Sequence, residues 1–426
     1  MERFVLQQLK DWKDKSGRKP LILNGARQVG KTWALREFAR REYKKEAYVV
    51  CRKNDLVEQI FKPDFNVERI LRALRAVSGV DITPGDTLII LDEVQEVPEA
   101  VESLKYFCEA APDYHIAVAG SLLGLAMHSG ASFPVGKVDT IDVHPMNFEE
   151  FLLAVGQVEV YKALQAKDFG LTNLIHEKLV DLLRQYYYVG GMPEAVGEYA
   201  ATSALREVRR IQKDMLRGYE YDFSKHATTE QTERIRMVWR GIPSQLFKDN
   251  KKFIYGALRT GARAKDYEWA IQWLVDSGLV VKVPLTTKVA LPLAIYEDLS
   301  AFKLYVLDVG LLGAMVDTEA KNVLINNDIF TEYKGGMTEN YVLQQLHSHG
   351  VSPIYYHKTD HSRLELDFII QQDGAVMPIE VKEKANVRAN SLTALLAANP
   401  SMHATRFSML PYREQGQMTC VPLYAV

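Results

Sequence analysis

Apolar and polar positions alternate in three different rhythms along the chain. In the first 150 residues the apolar residues come in short, nearly unbroken runs: Pro20 to Asn24 (PLILN), Thr87 to Leu91 (TLIIL) and His115 to Ala119 (HIAVA). Runs of this length predict strands covered on both faces, the pattern of a parallel sheet. A helix from Trp33 to Arg41 follows the first run. After Leu152 such runs stop, and Val158 to Val196 has helical spacing, broken at Tyr188-Val189-Gly190-Gly191-Met192-Pro193, where a glycine pair and a proline predict a sharp turn. Gly241 to Pro284 reads as three helices and then a short strand, Val280 to Val283, a winged-helix arrangement.

The third rhythm is strict alternation. Arg363 to Lys382 (RLELDFIIQQDGAVMPIEVK) predicts two strands joined by Asp373-Gly374, a strong hairpin signal. With Asp-Gly as the turn, Gln372 faces Ala375, Ile370 faces Met377, Asp367 faces Glu380 and Glu365 faces Lys382. Glu365, Asp367, Glu380 and Lys382 then share one side, and Phe368, Ile370, Ile379 and Val381 the other.

Composition narrows the class. A chain of 426 residues predicts two to four domains, and 47% hydrophobic with 25% charged residues is ordinary for a globular protein. The formal charge of −2 gives no global field for nucleic acid, so such binding requires a local patch. Three dispersed cysteines, Cys51, Cys108 and Cys420, argue against a disulfide scaffold or structural zinc and fit a reducing cytoplasm. The first residues lack the apolar core of a signal peptide, and the most apolar stretch, Ile116 to Met127, is too short to cross a bilayer, so no membrane partner is expected.

Between the first strand and its helix lies Gly25-Ala26-Arg27-Gln28-Val29-Gly30-Lys31-Thr32, which fits GxxxxGK[ST]. Glycines allow backbone N–H groups to turn inward around phosphate oxygens, and the helix N-terminus adds positive potential. Lys31 is expected on the β- and γ-phosphates and Thr32 on Mg²⁺, so Gly25 to Thr32, with Trp33 opening the helix, form the ATP-binding set. The second run ends in Asp92 and Glu93. Asp92 is expected in the Mg²⁺ shell and Glu93 on the attacking water. Ser121, after the third run, reads either as a γ-phosphate sensor or as a plain strand-ending turn.

The order GARQVGKT, LDEVQEVP, AGS, VHPMNFEEFL resembles the bacterial and archaeal AAA-type ATPases that carry a C-terminal domain of unknown function 4143. The resemblance extends to the GGMPEAV and LDVGLLGAM segments and so covers nearly the whole chain. Where the family shows Gly-Arg before its PxxFxEF segment, this chain has Gly136-Lys137, which places an arginine-finger role there in doubt. An arginine from a neighbouring copy, and with it a homo-oligomer, stays open, with Arg27 a candidate inside the loop.

The carboxylates of Asp367 and Glu380, directly opposed, repel unless a cation lies between them. With Lys382 they match the nuclease core D…(D/E)xK, and Glu339, on a preceding helix, fits the place of a further metal-binding acid. The resemblance implies a restriction-endonuclease-like fold for this part and supports all four assignments. An exposed ladder with a Glu365–Lys382 salt bridge is the structural alternative. Two further features are open: Arg206, Arg209, Arg210, Lys213 and Arg217 form a basic stripe or a solvated face, and the helix Lys265 to Asp276 serves DNA or a core.

The expected fold is α/β: a P-loop ATPase domain with a parallel sheet (1–155), a helical lid (156–235), a winged-helix module (236–315) and a C-terminal nuclease-like α/β domain (316–426). The expected function is an ATPase coupled to that last domain and acting on or regulated by nucleic acid. A nucleotide-driven switch that binds DNA or a partner without cutting is the alternative.

Overall fold

The structure is a computed structural model. It describes residues 1–120, 133–225, 227–248, 251–324, 331–359, 365–382 and 390–426; the side chains of 321, 322, 331–334 and 390 are left aside. It divides into two compact units, Met1–His144 with Asp276–Gly278, and Pro145–Val275 with Leu279–Val426.

The first unit is built on five strands, β1 (Leu21–Asn24), β2 (Lys45–Val50), β3 (Thr87–Asp92), β4 (His115–Ala119) and β5 (Asp139–Asp142). They lie in the order β2-β3-β4-β1-β5, and every pairing is parallel. The three continuous apolar runs supply β1, β3 and β4, and the last two are buried at every position. Ile22, Leu91 and Val118 pack with Leu71, Leu104 and Phe107 of the covering helices. β4 thus separates the strand that leads into the glycine loop from the strand that ends in acid.

The second unit combines helices with an eight-stranded mixed sheet. Its strands are β6 (Val280–Thr286), β7 (Glu297–Val306), β8 (Ile354–Lys358), β9 (Glu365–Gln372), β10 (Ala375–Lys382), β11 (Ala404–Ser408), β12 (Arg413–Gln415) and β13 (Met418–Pro422). Their order is β12-β13-β11-β10-β9-β8-β6-β7. The β9–β10 register has Gln372 opposite Ala375 and Ile370 opposite Met377, as alternation predicts, with Asp373 (φ +50°) and Gly374 (φ +75°) in the turn. The strand expected as a wing is longer than predicted. It pairs with β7 and β8 and so belongs to the same sheet as the C-terminal hairpin.

Local chemistry explains three of the family-like segments. In HPMNFEEF, Asn147 and Glu150 form a capping box at the start of the helix Phe148–Ala154. The GGMP and DVGLLG segments hold each other. Asp308 is fully buried, and its carboxylate accepts hydrogen bonds from the N–H groups of Gly191 (2.6 Å) and Leu311 (2.9 Å) and from Gln344 Nε2 (3.1 Å). A Cβ at Gly190 (φ +71°) would lie 2.3 Å from Asp308 Oδ1, and one at Gly191 1.9 Å from the carbonyl oxygen of Met146. Only glycines admit this approach.

Both helices left open pair or pack within the protein. On the helix Leu205–Phe223, Arg209 is buried and donates to the carbonyls of Gly310 and Thr318, while Arg210, Lys213 and Arg217 pair with acids. On the helix Ala264–Asp276, Tyr267, Ala270, Trp273 and Leu274 are buried, as a core-serving helix requires, while Trp269 is 45% exposed. Among the described residues no helix is long and apolar enough to cross a membrane.

Candidate functional site

The glycine loop leaves β1 at Gly25 and turns into the helix Lys31–Glu42. Gly25 has φ +135°, and a Cβ there would meet the carbonyl oxygen of Val143 at 2.3 Å. Gly30, with φ +95°, is the residue from which the helix springs. Gln28 also has positive φ (+69°). Such a loop turns amides inward and delivers them to the start of a helix, which is the geometry of a phosphate cradle. Arg3 braces it from outside, donating to the carbonyls of Val29 (3.0 Å) and His144 (2.7 Å).

Inside the loop the Lys31 ammonium donates to the carbonyls of Gly25 and Ala26, each at 2.7 Å. Burial pushes its pKa down to about 8, with Glu93 and Asp92 opposing the shift and Arg27 of the loop adding to it. Thr32 Oγ1 donates to Asp92 Oδ2 at 2.8 Å, which brings one hydroxyl and one carboxylate oxygen together from opposite sides of β4. Tyr48 donates to the same Asp92 oxygen at 2.8 Å, and the Glu93 N–H to the other at 3.0 Å. Glu93 sits in left-handed backbone (φ +53°) and accepts from Gln95 Nε2 at 2.5 Å. Trp33, at the outer side of the first turn, is 39% exposed. A paired hydroxyl and carboxylate beside a buried ammonium fit Mg²⁺ and polyphosphate. Lys137, in the place of the family's arginine, pairs with Glu109 at 2.9 Å. Ser121 lies outside the described residues.

The second constellation lies in the second unit. Glu339, on the helix Thr331–Ser348, is buried beside Asp367 of β9. One Glu339 oxygen takes the ammonium of Lys251; the other accepts from the Tyr305 hydroxyl at 3.1 Å and lies 3.8 Å from Lys303. Burial alone would raise the Glu339 carboxyl, but Lys251 and Lys303 outweigh it and hold it down to about 2. Burial and then the Glu339 charge push Asp367 up to about 7. Asp367 Oδ2 accepts the Val381 N–H at 2.8 Å. Glu380 is buried between Lys382 (3.1 Å) and Arg406 (3.4 Å). The expected Glu365–Lys382 pair is replaced: Glu365 goes to Lys303 (3.3 Å) and Lys358 (3.0 Å), and Lys382 to Glu380.

Glu339, Asp367, Glu380 and Lys382 are thus on elements packed in one unit, but each acid already has protein donors. Among the described residues no three acid, histidine or cysteine side chains are grouped to hold a metal ion. As arranged, this donor set does not fit a divalent cation, because ammonium and guanidinium groups take up the carboxylate charge.

Four residues with roles here gave no signal in the sequence: Arg3, Tyr48, Lys251 and Lys303. Each acts across a long separation, 26 residues for Arg3 to Val29 and 88 for Lys251 to Glu339, and none sits in a spaced motif.

Residues 17–152 match the family model of the AAA domain, 180–322 a domain of unknown function (DUF8612) and 334–424 a domain of unknown function (DUF4143). The chain therefore matches an AAA domain in its first part and a DUF4143 domain in its last. No curated protein matches it. Similar solved structures include a Walker-type ATPase of Pyrococcus abyssi, at 14% identity over 73% of this chain and 94% of that one, with a TM-score of 0.46. The Aeropyrum pernix ORC1 protein, solved in complex with DNA, is 13% identical over 75% of this chain and 92% of its own, with a TM-score of 0.29. The RuvB Holliday junction branch migration motor of Thermotoga maritima is 12% identical over 67% and 90%, also with a TM-score of 0.29. These scores are too low for the likenesses to bear on activity.

Proposed function

We propose that the chain hydrolyses ATP with Mg²⁺ at the Gly25–Thr32 loop and that this cycle drives a nuclease-like C-terminal domain directed at nucleic acid in the cytoplasm. The contact that carries the first half is Thr32 Oγ1 to Asp92 Oδ2 at 2.8 Å, beside the buried Lys31. Lys31 exchanges the Gly25 and Ala26 carbonyls for phosphate oxygens. Thr32 and Asp92 would hold Mg²⁺, which when bound would supply the charge that neutralises the phosphate oxygens. Glu93, steadied by Gln95, orients the water, and Ser121 reads the terminal phosphate. Little covalent work falls to the protein, so positioning and charge carry the rate. Trp33, at the outer side of the first turn, flanks the nucleotide. An arginine from a second copy completes the site in a homo-oligomer. The test is ATP turnover with and without DNA, in the native chain and in Lys31→Ala.

For the second half, a hairpin carrying Asp367, Glu380 and Lys382 in a mixed sheet, with Glu339 on the helix before it, supports a restriction-endonuclease-like reading. The helix Ala264–Asp276 followed by β6 supports a winged-helix reading. One observation favours a switch that engages DNA without cutting it: Lys251, Lys303, Lys382 and Arg406 already balance the acids. Metal-dependent cleavage, with Glu339, Asp367 and Glu380 as ligands, is the competing reading. A plasmid-nicking assay with Mg²⁺ or Mn²⁺ decides between them: nicking lost in Asp367→Ala and Lys382→Ala supports cleavage.

A further inference from the structure

We infer that Lys251 is the resident cation of the Glu339–Asp367 pair, an ammonium group built into the chain where a nuclease core of this pattern would hold a divalent metal. The inference rests on the non-cleaving reading of the C-terminal domain and names what maintains it.

The geometry is specific. Lys251 lies just before Phe253, whose N–H donates to the carbonyl of Phe302 at 2.8 Å and ties the segment to β7. That anchor points the Lys251 side chain into the sheet face bearing Lys303, Tyr305 and Asp367. Only 16% of the Lys251 side chain is exposed, and 5% of the Glu339 side chain. The Lys251 ammonium is on one Glu339 oxygen and the Tyr305 hydroxyl on the other, so both faces of the carboxylate are in use. Lys303, 1% exposed, stands between Glu339 and Glu365 and over the ring of Tyr356, 4.9 Å from its centroid. It supplies a second fixed charge to the same acids. A buried carboxylate needs a compensating charge, and removal of one partner leaves the other stranded. Lys251 is the partner that comes from outside the sheet, whereas Lys303 and Tyr305 are carried on β7.

The test uses the full chain and Mn²⁺ alone as probe, with Tm and Mn²⁺ binding by calorimetry as readouts. In the native chain, any effect of Mn²⁺ on Tm is expected to be the same with and without Glu339→Gln. In Lys251→Ala the stranded Glu339 is expected to lower Tm by roughly 5–10 °C. Mn²⁺ is expected to recover at least half of that loss, and Glu339→Gln placed on top of Lys251→Ala to abolish the Mn²⁺ response. Should Lys251→Ala not yield folded protein, Lys251→Met with Glu339→Gln removes both charges together and is expected to fold with a Tm indifferent to Mn²⁺. The inference is overturned if the native chain is stabilised by Mn²⁺ in a manner lost with Glu339→Gln, or if Lys251→Ala leaves Tm unchanged. ATP turnover, read on the same preparations, separates these outcomes from failure of the nucleotide site, and the nicking assay separates them from the cleaving reading.

Discussion

Thr32 and Asp92 are 60 residues apart in the chain, and their side-chain oxygens lie 2.8 Å apart. The helix that starts at Lys31 brings one and the end of β3 the other, with β4 between their strands. Asp92→Asn keeps the shape and removes the charge. ATP turnover is expected to fall at least ~10²-fold, the scale for losing one preorganised electrostatic contact, while Tm changes little. Phosphate release at saturating Mg-ATP checks it. Unchanged turnover would remove Asp92 from the site.

Tyr48 donates to the Asp92 oxygen that also takes Thr32. Burial, then the hydrogen bond to Asp92 and the Asp92 charge raise its pKa, so the phenol stays a donor at any physiological pH. In Tyr48→Phe the fold is expected to lose about 1 kcal/mol. Because Asp92 is then less restrained, the Mg²⁺ concentration giving half-maximal turnover is expected to shift. A magnesium titration of ATPase rate reads this directly, and an unshifted midpoint would assign Tyr48 to packing alone.

Gly190→Ala is expected to cost roughly 2–4 kcal/mol, since it combines a positive φ with a 2.3 Å clash on a buried carboxylate. Gly261, with φ +79° and nothing within 4 Å of its would-be Cβ, is the control, and alanine there is expected to cost about 1 kcal/mol. The difference between their unfolding midpoints in urea is the measurement. Equal costs would mean that the Asp308 contact adds nothing.

His115, at the start of β4, is held at a pKa of about 4 by burial, with Arg18 and Lys13 adding to the shift; its Nδ1 lies 2.6 Å from the Tyr43 hydroxyl. The folded state therefore resists a proton that the unfolded chain takes up near the ordinary histidine value of about 6.5. The contribution is complete above that value and is lost as pH falls towards 4, by at most about 3 kcal/mol. His115→Phe is expected to flatten the stability profile between pH 6.5 and 4, as followed by urea denaturation. A native and a variant profile of equal slope would show that other groups carry the acid sensitivity.

Elements legible in the sequence were those set by neighbours along the chain. GARQVGKT between an apolar run and a helix, LIILDE, and the register about Asp373-Gly374 depend on spacing and turn chemistry alone, and each stands where expected. Partners chosen across the fold were not legible. Val280 to Val283 has the look of a strand, but nothing local says that it joins the sheet of β8 and β9. Glu365 faces Lys382 on paper, yet Lys303 and Lys358 arrive from β7 and β8 and take it. Trp269 has the right helical phase for burial, yet it is 45% exposed.

Asp308 receives hydrogen bonds from Gly191, from Leu311 and from Gln344, each on a separate element, while Gly190 lies against it with no room to spare. Such a joint behaves as a detent and not as a spring. A displacement of about an ångström on any of the three elements breaks several short contacts at once, so intermediate positions have little to hold them. The turn at Gly190, the helix from Val309 and the helix bearing Gln344 are therefore held in one fixed relation through a single buried carboxylate.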